Sequence, residues 1–238
     1  MIYVRGDTHR DLSCFSDPAL DGLGSSDKLI ILGDFGFLFH GFEDISMDEA
    51  MLDALARKPY EILFLDGNHE NFDALETYPE VTRYGAPVRR LRPNIFWLQR
   101  GYVYTMEEKT FFVMGGGYSM DKAWRLANEE AAKARKIPVK LWYPQEMPTG
   151  AEYHRASASL AARDMAVDYI LTHTAPDHII YQVIGRKPDP HEAELDGYLH
   201  WVYDSVRFKK WYFGHLHEDR QVNDQMIACL NTLHLLDN

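Results

Sequence analysis

Short apolar runs that end at a glycine recur through the first half of the chain, and they constrain its fold more than any other feature. Each run has the length of a strand and is apolar on both faces of an extended chain, which is typical of strands covered on both sides. The runs are Ile2–Arg5 before Gly6, Lys28–Leu32 before Gly33, Ile62–Asp66 before Gly67, and Phe111–Met114 before Gly115. They predict a sheet whose two faces both pack against other layers.

Segments with helical periodicity separate these runs. Ser46 and Glu49 form a capping box at the start of one segment, and the segment Pro190–Arg207 carries its apolar residues at helical spacing. Strands that alternate with helices predict an α/β fold with a largely parallel sheet. Three further runs predict antiparallel strands, at Ile95–Leu98, Tyr102–Thr105 and Thr110–Met114. The sheet is therefore expected to be mixed or doubled.

A chain of 238 residues can form one large α/β domain. It contains no repeat, low-complexity tract or long linker that would divide it, so we expect a single domain over residues 1–238. Residues 117–165 differ from the rest of the chain. Their sequence is charged, rich in alanine and favourable to helices, and it contains Pro138, Pro144 and Pro148. We interpret them as a helical insertion, which either caps a site or forms a plain helical layer.

Metal-binding side chains follow five of the predicted strands directly. The five motifs are Gly6-Asp7-Thr8-His9, Gly33-Asp34, Gly67-Asn68-His69-Glu70, Thr172-His173-Thr174 and Gly214-His215-Leu216-His217. In open α/β sheets, sites form outside the carboxyl ends of the strands, so these motifs can converge in space. Glycines before the Asp, Asn and His residues leave room where the backbone turns sharply beside a ligand. Each motif alone is a weak signal, but five of them at strand ends in one chain strongly indicate a site.

In their order along the chain and in their local sequence, the motifs resemble those of the calcineurin-like metallophosphoesterases. The signature of that family reads Asp-x-His, Gly-Asp, Gly-Asn-His-Asp/Glu, His and Gly-His-x-His. The resemblance, to small bacterial members in particular, covers nearly the whole chain and fills every ligand position. It implies a four-layer α/β/β/α sandwich of two mixed sheets, with a dinuclear metal site at the carboxyl ends of the strands. By this resemblance one metal binds Asp7, His9 and His217, the other binds Asn68, His173 and His215, Asp34 is the bridging and catalytic carboxylate, and His69 is the catalytic histidine beside the phosphoryl group.

The donor groups are consistent with that chemistry. Carboxylate, imidazole and amide oxygen suit manganese, iron or zinc rather than a metal selected by thiolates. We expect two divalent ions as cofactors, manganese first, with iron, zinc, nickel or magnesium as alternatives. A bridging carboxylate would hold them about 3.5–4 Å apart, where a bound water becomes a nucleophile near neutral pH. His69, as an imidazolium, would then donate a proton to the leaving oxygen or stabilise its charge.

Two positions depart from better-known relatives. Protein Ser/Thr phosphatases of this superfamily follow the bridging Asp with Asp-Arg-Gly, whereas Asp34 is followed by Phe-Gly-Phe-Leu, which argues against that branch. Arg10 stands where many relatives have glycine after the Asp-x-His motif. Its guanidinium would bind a phosphate oxygen, or would pair with an acid such as Asp11.

A glycine-rich segment, Gly115–Gly117, follows one predicted strand and lacks the Walker pattern. It resembles a Gly-Gly-x-Tyr-Ser stretch in small bacterial relatives. We therefore assign Tyr118, Lys122 and Arg125 to the substrate side. The alternative interpretation is a turn followed by the solvated face of a helix.

The combined prediction is a dinuclear metal-dependent phosphoesterase that hydrolyses phosphomonoester or phosphodiester bonds with a metal-activated water. Its substrate would be a phosphorylated small molecule or a nucleotide. Two alternatives stay open: a nuclease or nucleotide phosphodiesterase that acts on nucleic acid, and a non-catalytic scaffold on the same fold. The net charge of −11, from 25 basic and 36 acidic residues, disfavours a broad basic surface for nucleic acid.

Other features concern the compartment. No stretch reaches 18 apolar residues, and the first residues lack the pattern of a secretory signal. Two cysteines, Cys14 and Cys229, are too few for a disulfide framework. We expect a cytoplasmic protein without a membrane partner.

Overall fold

A computed structural model describes residues 1–39 and 46–236 of the chain. The strands are β1 (Ile2–Arg5), β2 (Lys28–Leu32), β3 (Glu61–Leu65), β4 (Glu80–Arg83), β5 (Ala86–Arg92), β6 (Ile95–Leu98), β7 (Tyr102–Met106), β8 (Lys109–Met114), β9 (Tyr169–Thr172), β10 (Lys210–Phe213), β11 (Arg220–Gln221), β12 (Met226–Ala228) and β13 (His234–Leu235). The α-helices are α1 (Ser46–Leu55), α2 (Phe72–Leu75), α3 (Lys122–Ala134), α4 (Gly150–Ala161), α5 (Asp177–Ile184) and α6 (Ala193–Ser205).

The strands form two mixed sheets. The first has the order β13-β1-β2-β3-β6-β5-β4, with β1, β2, β3 and β6 parallel, and the second has the order β11-β12-β10-β9-β8-β7, with β12, β10, β9 and β8 parallel. The remaining pairings, at the edges, are antiparallel. This arrangement confirms the expectation of mixed, doubled sheets.

The expected antiparallel group of three runs is divided between the two sheets. β7 and β8 pair antiparallel in the second sheet, as predicted. β6 lies in the first sheet, where it pairs parallel with β3 and antiparallel with β5. The chain therefore changes sheets after Leu98, within the three residues before β7 begins.

Side chains of alternate parity build the layers. In β2, Ile30 and Leu32 point into the core between the sheets, where Tyr104 and Leu171 of the second sheet meet them. Leu29 lies on the opposite face, in a core shared with α1 and α2. The outer face of the second sheet packs against α4, α5 and α6. The protein is therefore an α/β/β/α sandwich, which confirms the predicted fold class.

The two helices within residues 117–165 lie in different places. α4 begins with a capping box and buries Ala156 and Leu160 in the outer core of the second sheet. α3 buries only Arg125 and lies near the carboxyl ends of the strands. Among the described helices, none combines the length and the apolar character that a membrane span requires.

Candidate metal centre

Both sheets deliver polar side chains to one edge of the sandwich. Asp7 follows β1, Asp34 follows β2 and Asn68 follows β3, while His173 and His215 follow β9 and β10 of the other sheet. All five strands are central and parallel within their sheets. Because parallel strands end at the same edge, the loops after them meet there.

One group of four side chains converges around a buried carboxylate. Asp7, His9, Asp34 and His217 offer ligand atoms that all lie within 4.8 Å of one another. The Nε2 atom of His217 lies 3.2 Å from Asp7 Oδ2 and 2.9 Å from the Nε2 atom of His9. His9 Nε2 lies 3.8 Å from Asp34 Oδ2. Both carboxylates are buried, so the two imidazoles form the outer side of the group.

A second set of donors lies on the other side of Asp34. The Nε2 atom of His173 is 3.3 Å from Asn68 Oδ1 and 3.4 Å from Asp34 Oδ1. The other ring nitrogen of His173 lies 2.8 Å from the carbonyl oxygen of Leu32, which can only accept. In its neutral form, the ring therefore carries its proton on Nδ1 and directs a free Nε2 lone pair towards Asn68 and Asp34.

His215 faces a carboxylate that the sequence analysis did not select. Its Nε2 atom lies 3.8 Å from Oε1 of Glu192, which is 4% exposed and also accepts a hydrogen bond from the backbone N–H of Tyr118 at 3.1 Å. Glu192 ends the short 3-10 turn that precedes α6. Its local sequence has no strand-end signal, and only the packing of this turn against the site brings it there.

The orientation of Asn68 is set by two buried polar residues. Its side-chain N–H donates to the hydroxyl of Ser119 at 3.2 Å, and that hydroxyl donates to Glu146 at 2.5 Å. With the amide nitrogen occupied in this way, the amide oxygen is turned towards His173 and Asp34. Ser119 and Glu146 therefore act on the site through Asn68.

Close backbone approach explains two of the glycines. A Cβ atom on Gly67 would lie 2.1 Å from Asp34 Oδ1, and one on Gly33 would lie 2.1 Å from Nδ1 of His173. Real side chains do not approach so closely, and the crowding expected from the sequence is present at both positions.

Several polar residues of the site adopt left-handed backbone conformations. Positive φ angles occur at His9, Arg10, Asp34, His215 and His217. Residues with a side chain pay on the order of 1–3 kcal/mol for such conformations, which cluster where side chains must be aimed at one point. The concentration of strain here indicates a functional rather than a purely structural edge.

The ionisation of the site follows from its burial and its charges. Burial by itself would raise the pKa of Asp34, but the imidazoles of His173, His69 and His9 hold it well below its usual range. Burial by itself would lower the pKa of His173. The negative charges of Asp34 and Asp7 have the larger combined effect, so the pKa of His173 is raised. Asp34 is therefore an anion at neutral pH.

The residues present fit divalent cations. The side chain of Asp7 is fully buried, and its Oδ2 atom has no hydrogen-bond partner although imidazole nitrogens converge on it. Burying a carboxylate oxygen without a partner is costly. Carboxylates, imidazoles and an amide oxygen around it are the donors that Mn²⁺, Fe²⁺ and Zn²⁺ accept.

His69 contacts an arginine rather than an acid. Arg125 Nη2 lies 2.8 Å from His69 Nε2, and Nη1 of the same guanidinium donates to the carbonyl of Asn68 at 3.0 Å. A guanidinium only donates, so Nε2 of His69 accepts and the ring proton lies on Nδ1. Burial, aided by Arg125, lowers the pKa of His69 to about 4. Without metal ions, this pKa leaves His69 neutral at neutral pH, and its predicted role as an imidazolium stays a prediction.

The residues assigned to substrate occupy different positions. A cleft of about 300 Å³ is lined by Asp34, His69, Tyr118 and other residues. Arg10, Lys122 and Arg125 are not among the described residues that line it. Arg10 pairs with Asp48 at 2.5 Å, Lys122 Nζ lies 3.9 Å from the ring centre of Trp142, and Arg125 is 2% exposed. Tyr118 stacks on His191, with ring centres 4.8 Å apart.

Comparison with known proteins gives only distant structural similarity. No model of a known protein family matches the chain, and no curated protein matches its sequence. Among solved structures it is similar to a Staphylococcus aureus protein named "Putative 5'-Nucleotidase", in complex with alpha-ketoglutarate. The TM-score is 0.46 at 12% sequence identity, over 97% of this chain and 48% of that one. The chain thus spans about half the length of that protein.

Proposed function

We propose that the protein is a metal-dependent phosphoesterase of the calcineurin-like type that hydrolyses phosphomonoesters or phosphodiesters. The observation that carries this proposal is the convergence of the imidazoles of His9 and His217 on the fully buried Oδ2 atom of Asp7. The ions would be divalent, with manganese the first choice. One would be held by Asp7, His9 and His217, the other by Asn68, His173 and His215, and Asp34 would stand between them.

The chemistry divides between the ions and the chain. Bound divalent ions supply an acidified water and neutralise phosphoryl charge. Asp34 accepts a hydrogen bond from the backbone N–H of His69 at 2.8 Å, which fixes that loop against the ligands. His69 lines the cleft and keeps its proton on Nδ1, so it can donate a hydrogen bond to a phosphoryl or leaving-group oxygen without first becoming charged.

The cleft favours a small phosphorylated substrate. Its lining includes Arg186 and Lys187, which suit anionic groups, and Ile180 and Ile184, which suit an apolar part of the substrate. Its volume of about 300 Å³ lies at the lower end of the range of small-molecule sites. A phosphorylated small molecule or a nucleotide therefore fits better than a nucleic-acid strand, in agreement with the net charge of −11. The unpaired state of Cys14 and Cys229 supports a cytoplasmic location.

The decisive experiment removes the central carboxylate. Asp34→Asn should abolish hydrolysis of an aryl phosphate in the presence of Mn²⁺, while Glu130→Gln on the exposed face of α3 serves as the matched control. Metal analysis of the unsubstituted protein should give close to two ions per chain. Full activity of Asp34→Asn would contradict the mechanism, and much less than two ions would favour the non-catalytic scaffold.

A substrate panel then separates the remaining classes. Monoesters, diesters, nucleotides and single-stranded nucleic acid are compared with Mn²⁺, Mg²⁺, Zn²⁺ and Ni²⁺. Preference for nucleic acid, with binding that falls steeply as salt rises, would replace the small-substrate proposal by a nuclease.

A further inference from the structure

A second cavity lies beside the cleft. It has a volume of about 680 Å³ and shares Lys187, Pro188 and Asp189 with the lining of the cleft. Residues of α5, Pro190 of the following 3-10 turn and residues in the first half of α6 form the rest of its wall. We call it the α5–α6 cavity. None of the residues of the candidate metal centre lines it.

Three metal-ligating side chains meet where α5 and α6 face each other, and two of them, Asp177 and His178, line the cavity. Asp177, His178 and His200 offer ligand atoms that all lie within 4.8 Å of one another. Oδ1 of Asp177 lies 2.9 Å from Nδ1 of His200 and 3.5 Å from Nδ1 of His178. The hydrogen bond between Asp177 and His200 accounts for one imidazole only. The Nδ1 atom of His178 is buried and has no hydrogen-bond partner.

A buried carboxylate without any partner lines the same cavity. Asp196 is 2% exposed, and neither of its oxygens has a hydrogen-bond partner. It lies one helical turn before His200 on α6, so the two side chains share a face of the helix. Besides burial, the negative charges of Glu192 and Asp177 raise the pKa of Asp196, so the charged groups that act on it are acidic. Nothing in this arrangement offsets the burial of a carboxylate, whereas a cation at the cluster would.

We propose that the α5–α6 cavity binds one divalent cation, held by Asp177, His178 and His200, with Asp196 supplying further negative charge beside it. Two imidazoles with carboxylates suit Zn²⁺ or another first-row transition ion better than Mg²⁺ or Ca²⁺, which prefer oxygen donors throughout. This site is separate from the ions of the proposed phosphoesterase centre and does not depend on that proposal.

The test measures Zn²⁺ bound at equilibrium to the full-length chain. The double variant His178→Ala/His200→Ala should bind one equivalent less than the unsubstituted protein. Because both proteins keep the phosphoesterase centre unchanged, its ions cancel in this difference. His154→Ala, an exposed histidine on α4, is the matched control and should bind the full number. Circular dichroism of each variant establishes that it is folded.

An isosteric variant keeps the test independent of folding. Asp196→Asn preserves the shape of the side chain and removes its charge, and it should weaken binding of the additional Zn²⁺ at least tenfold. Equal Zn²⁺ stoichiometry and affinity in the double variant and the unsubstituted protein would overturn the proposal. An equal loss in His154→Ala would also overturn it, since it would show non-specific binding to surface histidines. If spermidine stabilised the protein against denaturation and Zn²⁺ did not, the cation bound in the cavity would be organic and not a metal ion.

Discussion

Asp196→Asn should stabilise the metal-free protein, and by an amount that depends on pH. Burial, with the added charges of Glu192 and Asp177, raises the pKa of Asp196 from 3.8 to about 8. The protonated acid and an asparagine amide are similar in shape, and both are buried without partners. The two proteins therefore differ mainly in one contribution. On folding, Asp196 must either stay protonated or be buried as an anion, and both cost free energy that asparagine does not.

The size of the effect follows from the two pKa values. Each pH unit between the unfolded-state and folded-state pKa values changes the free energy of unfolding by about 1.36 kcal/mol. Because the folded-state pKa of Asp196 lies above the unfolded one, its contribution is complete below pH 3.8 and is lost as the pH rises towards 8. Asparagine does not titrate and avoids this loss. The gain in free energy of unfolding should be about 1–2 kcal/mol at pH 5 and about 4 kcal/mol at pH 7.

The assay is chemical denaturation with a chelator at pH 5 and pH 7. Asp224→Asn, at an exposed aspartate, is the control and should change the free energy of unfolding by less than about 0.5 kcal/mol at either pH. A gain for Asp196→Asn that is the same at both pH values would refute the reasoning. Saturating Zn²⁺ should reduce the gain, because a cation beside Asp196 stabilises its charged form.

Three further substitutions test the packing around the metal centre and the helical layer. Arg125→Met should lower the free energy of unfolding by about 1–3 kcal/mol, because it leaves the carbonyl of Asn68 without its donor. It should also raise the pKa of His69 from about 4 in the metal-free protein, measured by NMR titration. Gly67→Ala should lower the free energy of unfolding by at least about 1–3 kcal/mol, measured by denaturation. It should also weaken Mn²⁺ binding, measured by calorimetry. Leu199→Ala, in the core under α6, should cost about 2–5 kcal/mol in denaturation experiments.

Each of these expectations has a control or a contrary outcome. Gly150→Ala places a Cβ where no atom lies within 4 Å, so it should leave Mn²⁺ binding unchanged. A Gly67→Ala protein that binds Mn²⁺ as well as Gly150→Ala would show that the loop can move away. An unchanged His69 pKa in Arg125→Met would show that burial alone sets it. A loss below about 1 kcal/mol for Leu199→Ala would contradict its place in the core.

The strands of this fold were predictable because their signal is local. The runs Ile2–Arg5 and Lys28–Leu32 coincide with β1 and β2, and Ile62–Asp66 is displaced by one residue from β3. Sheet membership was not predictable in the same way. β6 lies three residues before β7 in the chain, yet each pairs within a different sheet, because pairing depends on which distant strands present a free edge.

Arg125 shows the limit for the candidate site. The resemblance of the preceding glycine-rich segment to a Gly-Gly-x-Tyr-Ser stretch of small bacterial relatives predicted that its side chain would face the substrate. The structure instead buries its guanidinium against His69 and the carbonyl of Asn68. A helical pattern gives the face on which a side chain lies, but the docking of α3 against the strand ends determines what that face meets.

The sequence by itself determined the candidate ligands and their order, since each of their motifs follows an apolar run directly. Only the tertiary structure decided that Glu192 faces His215 and that Asp196 is buried beside Asp177 and His178. Glu192 and Asp196 lie at the start of a helix, where acidic residues are ordinary. The burial of both residues, and the lack of hydrogen-bond partners at Asp196, arise from the packing of α5 and α6 on the second sheet, which no local pattern records.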